Sequence, residues 1–73
     1  MSDPARESVA QLYESAAAEL ERAALHLRTA ARHMRDQETP RACAHAFAAQ
    51  GHLSSGNDAI IQASKIHASK AVP

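Results

Sequence analysis

The sequence predicts an all-α fold, an antiparallel helical hairpin that pairs with a second copy to form a four-helix bundle. Three observations predict this fold. Two long alanine-rich segments have apolar residues at helical spacing, and one proline-containing stretch, residues 35–41, separates them. The third observation is the run 42–57, which has no charged side chain and therefore indicates cover by more than one partner helix. The chain is predicted to be one domain, residues 1–73.

Helix 1 is predicted from about residue 4 to about residue 38. Asp3 and Pro4 form an entry signal, because a carboxylate caps free N–H groups and proline suits the first helical position. Apolar residues then recur at steps of three and four, at positions 5, 9, 12, 16, 20, 23, 27, 30 and 34. This spacing predicts one apolar stripe along the helix, with Leu20, Leu27 and Met34 among its large members.

The turn is predicted at about residues 38–40. Pro40 has no N–H group and clashes with the carbonyl four residues before it, so the first helix must end ahead of it. The same proline suits the start of a second helix, whose first turn we expect the Thr39 hydroxyl to cap. Because the connection is short, the two helices are expected to fold back antiparallel.

Helix 2 is predicted at about residues 40–70. Residues 54–58 are poor helix formers, and Asn57 could cap a separate third helix, but the stripe continues in phase across them. We therefore favour one continuous helix, with residues 54–58 as the place where it could kink. Phe47, the only phenylalanine, lies on the stripe and is expected to anchor the core, and His67 is expected to pack beside Ile60.

Composition narrows the classes of function. Eight basic and eight acidic residues give zero net charge, which argues against a nucleic-acid or anionic-membrane partner. The lone Cys43 excludes an internal disulfide, and no secretory signal or long apolar run is present, so a cytoplasmic protein is expected. There is no glycine-rich phosphate loop and no Glu-x-x-His pair. We therefore expect a non-enzymatic protein.

The core is expected to be small. Alanine supplies 18 of the 73 residues, and alanine favours helix strongly while contributing little apolar burial. A chain of this length is also close to the lower limit for independent folding. Both features predict an obligate homo-oligomer, with a dimer of hairpins as the simplest form.

Four histidines have a regular spacing. His26 and His33 are seven residues apart on helix 1, as are His45 and His52 on helix 2. In a hairpin that turns at residue 39, His26 lies level with His52 and His33 with His45. At about 100° per residue, all four are turned away from the apolar stripes in the same rotational sense. This predicts a histidine quartet on one outer side of the hairpin.

Two hypotheses follow from the quartet. In the first, the protein is an interaction and assembly module that presents a histidine-rich face to its own copies or to another protein. The alternative is a metal- or haem-binding bundle, in which His26, His33, His45 and His52 bind zinc, copper or haem. Met34 and Cys43 are expected at one level near the turn, and their soft sulfur atoms extend the candidate metal ligands, with core filling as the other interpretation.

Overall fold

The computed structural model describes residues 4–72, and this part of the chain is a two-helix hairpin. Helix α1 comprises Pro4–Arg35, helix α2 comprises Thr39–Lys70, and the two pack against each other along their length. The predicted all-α hairpin is confirmed. Helix α2 continues without a break through residues 54–58, so the alternative of a third helix is wrong. Within the described range, neither helix combines the length and apolar character needed to cross a membrane.

The turn is formed by a left-handed residue three positions ahead of Pro40. Gln37 has a φ angle of 61°. Its N–H donates to the Met34 carbonyl at 3.1 Å, and the N–H of Glu38 donates to the His33 carbonyl at 2.8 Å. This pair of hydrogen bonds is the Schellman motif, which ends a helix by satisfying its last carbonyl groups. Helix α1 therefore ends at Arg35 rather than near residue 38.

Helix α2 begins at Thr39, one residue before the predicted start. The predicted cap by the Thr39 hydroxyl is wrong: no side chain caps the first turn of α2, and Thr39 Oγ1 instead lies 3.8 Å from Met34 Sδ. Pro40 occupies the first turn as predicted, where its missing N–H costs nothing. The predicted cap by Asp3 lies outside the described residues.

Small side chains form the contact between the helices. The buried residues are Ala16, Ala23, Ala30, Ala42, Ala49, Gly56, Ala59 and Ala63. Most of them recur every seven residues, the repeat of a coiled coil. At Gly56 the helices are so close that an added Cβ would lie 3.4 Å from the Ala16 carbonyl oxygen. We call this strip of contact the seam.

The large residues of the predicted stripe lie outside the seam. Leu20 is 42% exposed, Leu27 is 48% exposed and Met34 is 50% exposed. Phe47 is 79% exposed, so its predicted role as core anchor is wrong, and Cys43 is also exposed rather than packed on a buried stripe. The physical reason is that each helix has a wider apolar surface than one partner helix can cover. The two helix axes come closest where the side chains are smallest, so the larger side chains lie beside the contact.

Candidate functional sites: a histidine ladder and an apolar face

The seam brings the four predicted histidines together in one row of rings. The ring centroids of His33 and His45 lie 5.4 Å apart, those of His45 and His26 lie 5.2 Å apart, and those of His26 and His52 lie 5.3 Å apart. The predicted level pairs, His26 with His52 and His33 with His45, are therefore confirmed as stacked neighbours. Glu19 beyond His52 and Glu38 beyond His33 end the row, and we call these six residues the histidine ladder.

The ladder lies between the helices, so the predicted position on an outer side of the hairpin is wrong. All four histidines are partly buried, and the side chains of His33 and His52 are only 20% and 30% exposed. The error came from centring the stripe of α1 on its leucines. The actual seam is rotated by about 50° around the helix axis, which turns positions 19, 26 and 33 inward.

The centre of the ladder is a hydrogen bond between two imidazoles. The Nδ1 atoms of His26 and His45 lie 3.0 Å apart. Because a hydrogen bond needs one donor and one acceptor, one ring carries its proton on Nδ1 and the other has a bare Nδ1. This contact therefore requires at least one of the two rings to be neutral.

One end of the ladder is a short contact between a carboxylate and an imidazole. Glu19 Oε2 lies 2.6 Å from His52 Nδ1, and Glu19 Oε1 accepts a hydrogen bond from Arg22 Nη1 at 2.8 Å. The hydrogen bond from His52 lowers the pKa of Glu19, the charges of His52 and Arg22 lower it further, and partial removal from water opposes them. Sequence reasoning missed Glu19. The available signal was its position, seven residues before His26.

The other end of the ladder is looser. Glu38 Oε1 lies 3.7 Å from His33 Nδ1, which is too long for a hydrogen bond, and His33 Nδ1 is buried without a hydrogen-bond partner. Arg41 Nη1 donates to Glu38 Oε2 at 2.9 Å. Each end of the ladder thus carries one carboxylate whose second oxygen is bound to an arginine.

The described residues contain no group of three or more histidine, cysteine, aspartate or glutamate side chains arranged to hold a metal ion. Met34 and Cys43 do meet near the turn, where they line a cleft of about 240 Å³ together with four alanines. No imidazole lines that cleft. At the other end of the hairpin, His67 lines a second cleft of about 460 Å³ with Tyr13 and Ile66. Its packing beside Ile60 stays a prediction.

A second feature is a row of large apolar side chains beside the seam. Each of them directly follows a ladder residue, the seam residue Ala59 or the half-buried Leu12, and each is between 42% and 58% exposed. Its members are Tyr13, Leu20, Leu27 and Met34 on α1 and Leu53 and Ile60 on α2. We call these six residues the apolar face.

Both helices contribute their parts of the apolar face to the same side of the hairpin. A following residue is rotated by about 100° in the same sense on each helix, and in an antiparallel pair equal rotations lead to one side. The two clefts agree with this geometry: one is lined by Met34 with Ala46, and the other by Tyr13 with His67. The α1 positions next to the face are alanines, at residues 10, 17, 24 and 31.

Most of the charged side chains lie elsewhere on the surface, but Arg6 and Lys70 line the cleft beside Tyr13 at one end of the apolar face. Helical spacing places the others on the opposite side of the hairpin or along the outer edge of α1. On the opposite side these include Arg22, Arg32, Arg41, Asp58 and Lys65, and on the outer edge Glu14, Glu21, Arg28 and Arg35. Leu25, which is 61% exposed, also lies away from the apolar face, because it is turned by about 140° from Leu20 around the axis of α1.

Comparison with known proteins finds no match: no protein-family model, no curated protein sequence and no solved structure matches this chain. The histidine ladder and the apolar face are therefore the features from which a function can be inferred.

Proposed function

We propose that this protein is a non-enzymatic self-assembly module, in which two hairpins pack through their apolar faces to form a four-helix bundle. The observation that carries the proposal is the placement of six large, exposed apolar side chains on one side of the hairpin, where Arg6 and Lys70 lie at one end. Contiguous apolar surface of this kind marks sites of protein association.

The exposed surface area of the hairpin is larger than expected for a compact monomer, which is consistent with an interface to a partner. The chain exposes 5586 Å². That is roughly 1,200 Å² more than size scaling gives for a compact monomer of this mass. A stable interface takes about 800 Å² from each partner. The excess is therefore large enough to be accounted for by one interface of ordinary size.

A second copy of the chain suits this face better than a charged partner. The face has no charged group to recognise a nucleic acid or an anionic membrane, and it has leucines spaced by seven residues. In a two-fold dimer the same leucines meet from both copies and form a core of large side chains, which the seam lacks. Burial of the uncharged run 42–57 by the second hairpin is also consistent with this arrangement.

Sedimentation equilibrium of the parent and of two leucine variants tests the proposal. The parent is expected at twice the chain mass of 7.8 kDa at micromolar concentration. Leu20→Glu is expected to sediment as a monomer, because an unpaired carboxylate in an apolar interface costs several kcal/mol, on the order of a 100-fold loss of affinity. Leu25→Glu is the matched control, with an equally drastic change at an exposed leucine away from the face, and is expected to stay dimeric.

Two results would contradict the proposal. One is a monomeric parent at high micromolar concentration, which would leave the apolar face to a different protein. The other is dissociation of Leu20→Glu and Leu25→Glu to the same extent, which would place the interface elsewhere on the surface.

A further inference from the structure

We propose that the histidine ladder is a proton-sensitive latch between the two helices, closed while it holds up to two protons and weakened by a third. The ladder lies inside one chain, so this inference goes beyond the proposed self-assembly and does not depend on it. Its basis is the geometry of four imidazoles in a row, stacked in the two outer pairs and tilted by 32° in the central pair, with one carboxylate at each end.

Two protons can be accommodated at the ends of the ladder. A protonated His52 faces the carboxylate of Glu19 at 2.6 Å, and a protonated His33 faces Glu38 at 3.7 Å. The two end rings are separated by the two central rings, so their positive charges do not touch. With two protons bound, the four imidazoles and the two carboxylates are neutral as a group.

A third proton must bind to a ring that faces no carboxylate. It must go to His26 or His45, and each of these rings is in contact with an end ring at 5.3 Å or 5.4 Å between centroids. Arg22 and Arg41 are bound to the two carboxylates, and they add further positive charge. The third positive charge is therefore uncompensated.

A fourth proton also removes the central hydrogen bond. With both His26 and His45 protonated, neither Nδ1 can accept, and two positive rings face each other across 3.0 Å. In the unfolded chain the same four imidazoles bind protons without this repulsion. The unfolded state thus binds more protons than the folded state in acid, and by linkage the stability of the hairpin falls as the pH falls.

The rest of the seam offers little to resist this repulsion. Its buried residues are alanines and one glycine, and no large side chain is fully buried in the part of the chain that the structure describes. Imidazole is the side chain that ordinarily changes charge between about pH 5 and pH 8. The effect of the ladder on stability is therefore sought in that range of pH.

Thermal melting from pH 8 to pH 5 tests the latch, with each protein studied at one fixed concentration. The melting temperature of the parent is expected to fall by on the order of 10 °C between pH 7 and pH 5. His67→Gln, which removes an exposed histidine outside the ladder, is expected to show the same fall. The double variant His26→Gln/His45→Gln keeps polar side chains at the two central positions but removes the two imidazoles that face no carboxylate. Its melting temperature is expected to fall by much less than that of the parent between pH 7 and pH 5. An undiminished fall in that double variant would overturn the proposal.

Proton uptake gives a second test that needs no variant. Between pH 7 and pH 5 the folded parent is expected to bind fewer protons than the same chain unfolded in urea, and equal or greater uptake by the folded chain would overturn the latch. The Leu20→Glu variant separates this inference from the proposed dimer. The acid-induced fall is expected to persist in that variant, and its loss there would assign the proton response to the contact between copies and overturn the latch.

Discussion

The seam and the apolar face run side by side along the same two helices and have opposite compositions. Ala23 and Ala49 in the seam are each 1% exposed, whereas Leu20 and Leu27, close by on α1, are 42% and 48% exposed. The difference shows that two isolated helices approach along their smallest side chains, where the backbones come closest. The larger side chains stay partly exposed, and in the proposed dimer they would pack against the second hairpin.

The seam and the apolar face also differ in their polar side chains. The seam contains the histidine ladder, in which each ring contacts its neighbours, while the apolar face has no charged side chain. A shift of α2 by one helical turn would separate His26 from His45 and His52 from Glu19 together. Specific polar contacts between paired helices can set their register, so we expect the ladder to fix how the hairpin closes. The apolar face has no comparable contacts, and in the proposed dimer it would supply affinity instead.

The largest expected effect comes from putting a large side chain into the seam. Ala49→Leu is expected to lower the free energy of unfolding by about 1–3 kcal/mol, because a closely packed contact has no room for three more carbon atoms. Ala44→Leu, at an exposed position on the same helix away from both features, is expected to stay within about 0.5 kcal/mol of the parent. Urea unfolding measures both. Equal stability of the two variants would show that the seam is not closely packed.

A smaller effect, with a defined pH dependence, is expected at one end of the ladder. The hydrogen bond from His52 lowers the pKa of Glu19 below its ordinary value of 4.5. A carboxyl group with a lowered pKa stabilises the folded state above its unfolded pKa, and this contribution is lost as the pH falls through the folded value. Glu19→Gln is therefore expected to melt below the parent at pH 7 and to approach it toward pH 3.

Glu21 provides the control for this change. It is an exposed glutamate two residues further along α1, on the outer edge of the helix. Glu21→Gln is expected to melt with the parent at both pH values. If the Glu19 and Glu21 variants behave alike, the contact between Glu19 and His52 contributes nothing to stability.

The smallest effect is expected at Phe47. This side chain is 79% exposed and lies on the outer edge of α2, outside both the seam and the apolar face. Phe47→Ala is expected to change the free energy of unfolding by no more than about 0.5 kcal/mol, as for an ordinary surface position. A loss of about 3–5 kcal/mol, typical of a core phenylalanine, would show that the outer edge of α2 is buried in the assembled protein.

The fold was predictable because its signals are local. Proline at position 40 and the alanine-rich helical spacing on either side of it are enough to predict a hairpin. The end of α1 was not predictable from Pro40, because Gln37 adopts the left-handed conformation that more commonly requires glycine. That choice is made by the hydrogen bonds of the turn, which no residue type signals here.

The candidate sites were predictable in part. The heights of His26 and His52 follow from counting residues around the turn, and the structure confirms their contact. Their burial does not follow from counting, because the leucines and the alanines on α1 define two apolar stripes only about 50° apart around the helix axis. Which of the two stripes contacts α2 depends on how closely the two backbones can approach. This distance depends on both helices together and cannot be read from the apolar spacing of one helix.

Contacts between copies, measured by isotope-filtered NOE spectroscopy on a mixture of labelled and unlabelled chains, test the central claim most directly. Self-assembly through the apolar face predicts NOEs between copies from the methyl groups of Leu20, Leu27, Leu53 and Ile60. The methyl groups of Leu25, on an equally exposed side chain away from the face, are expected to give none. An absence of NOEs between copies, or NOEs at Leu25 and none at Leu20 and Leu53, would contradict the account.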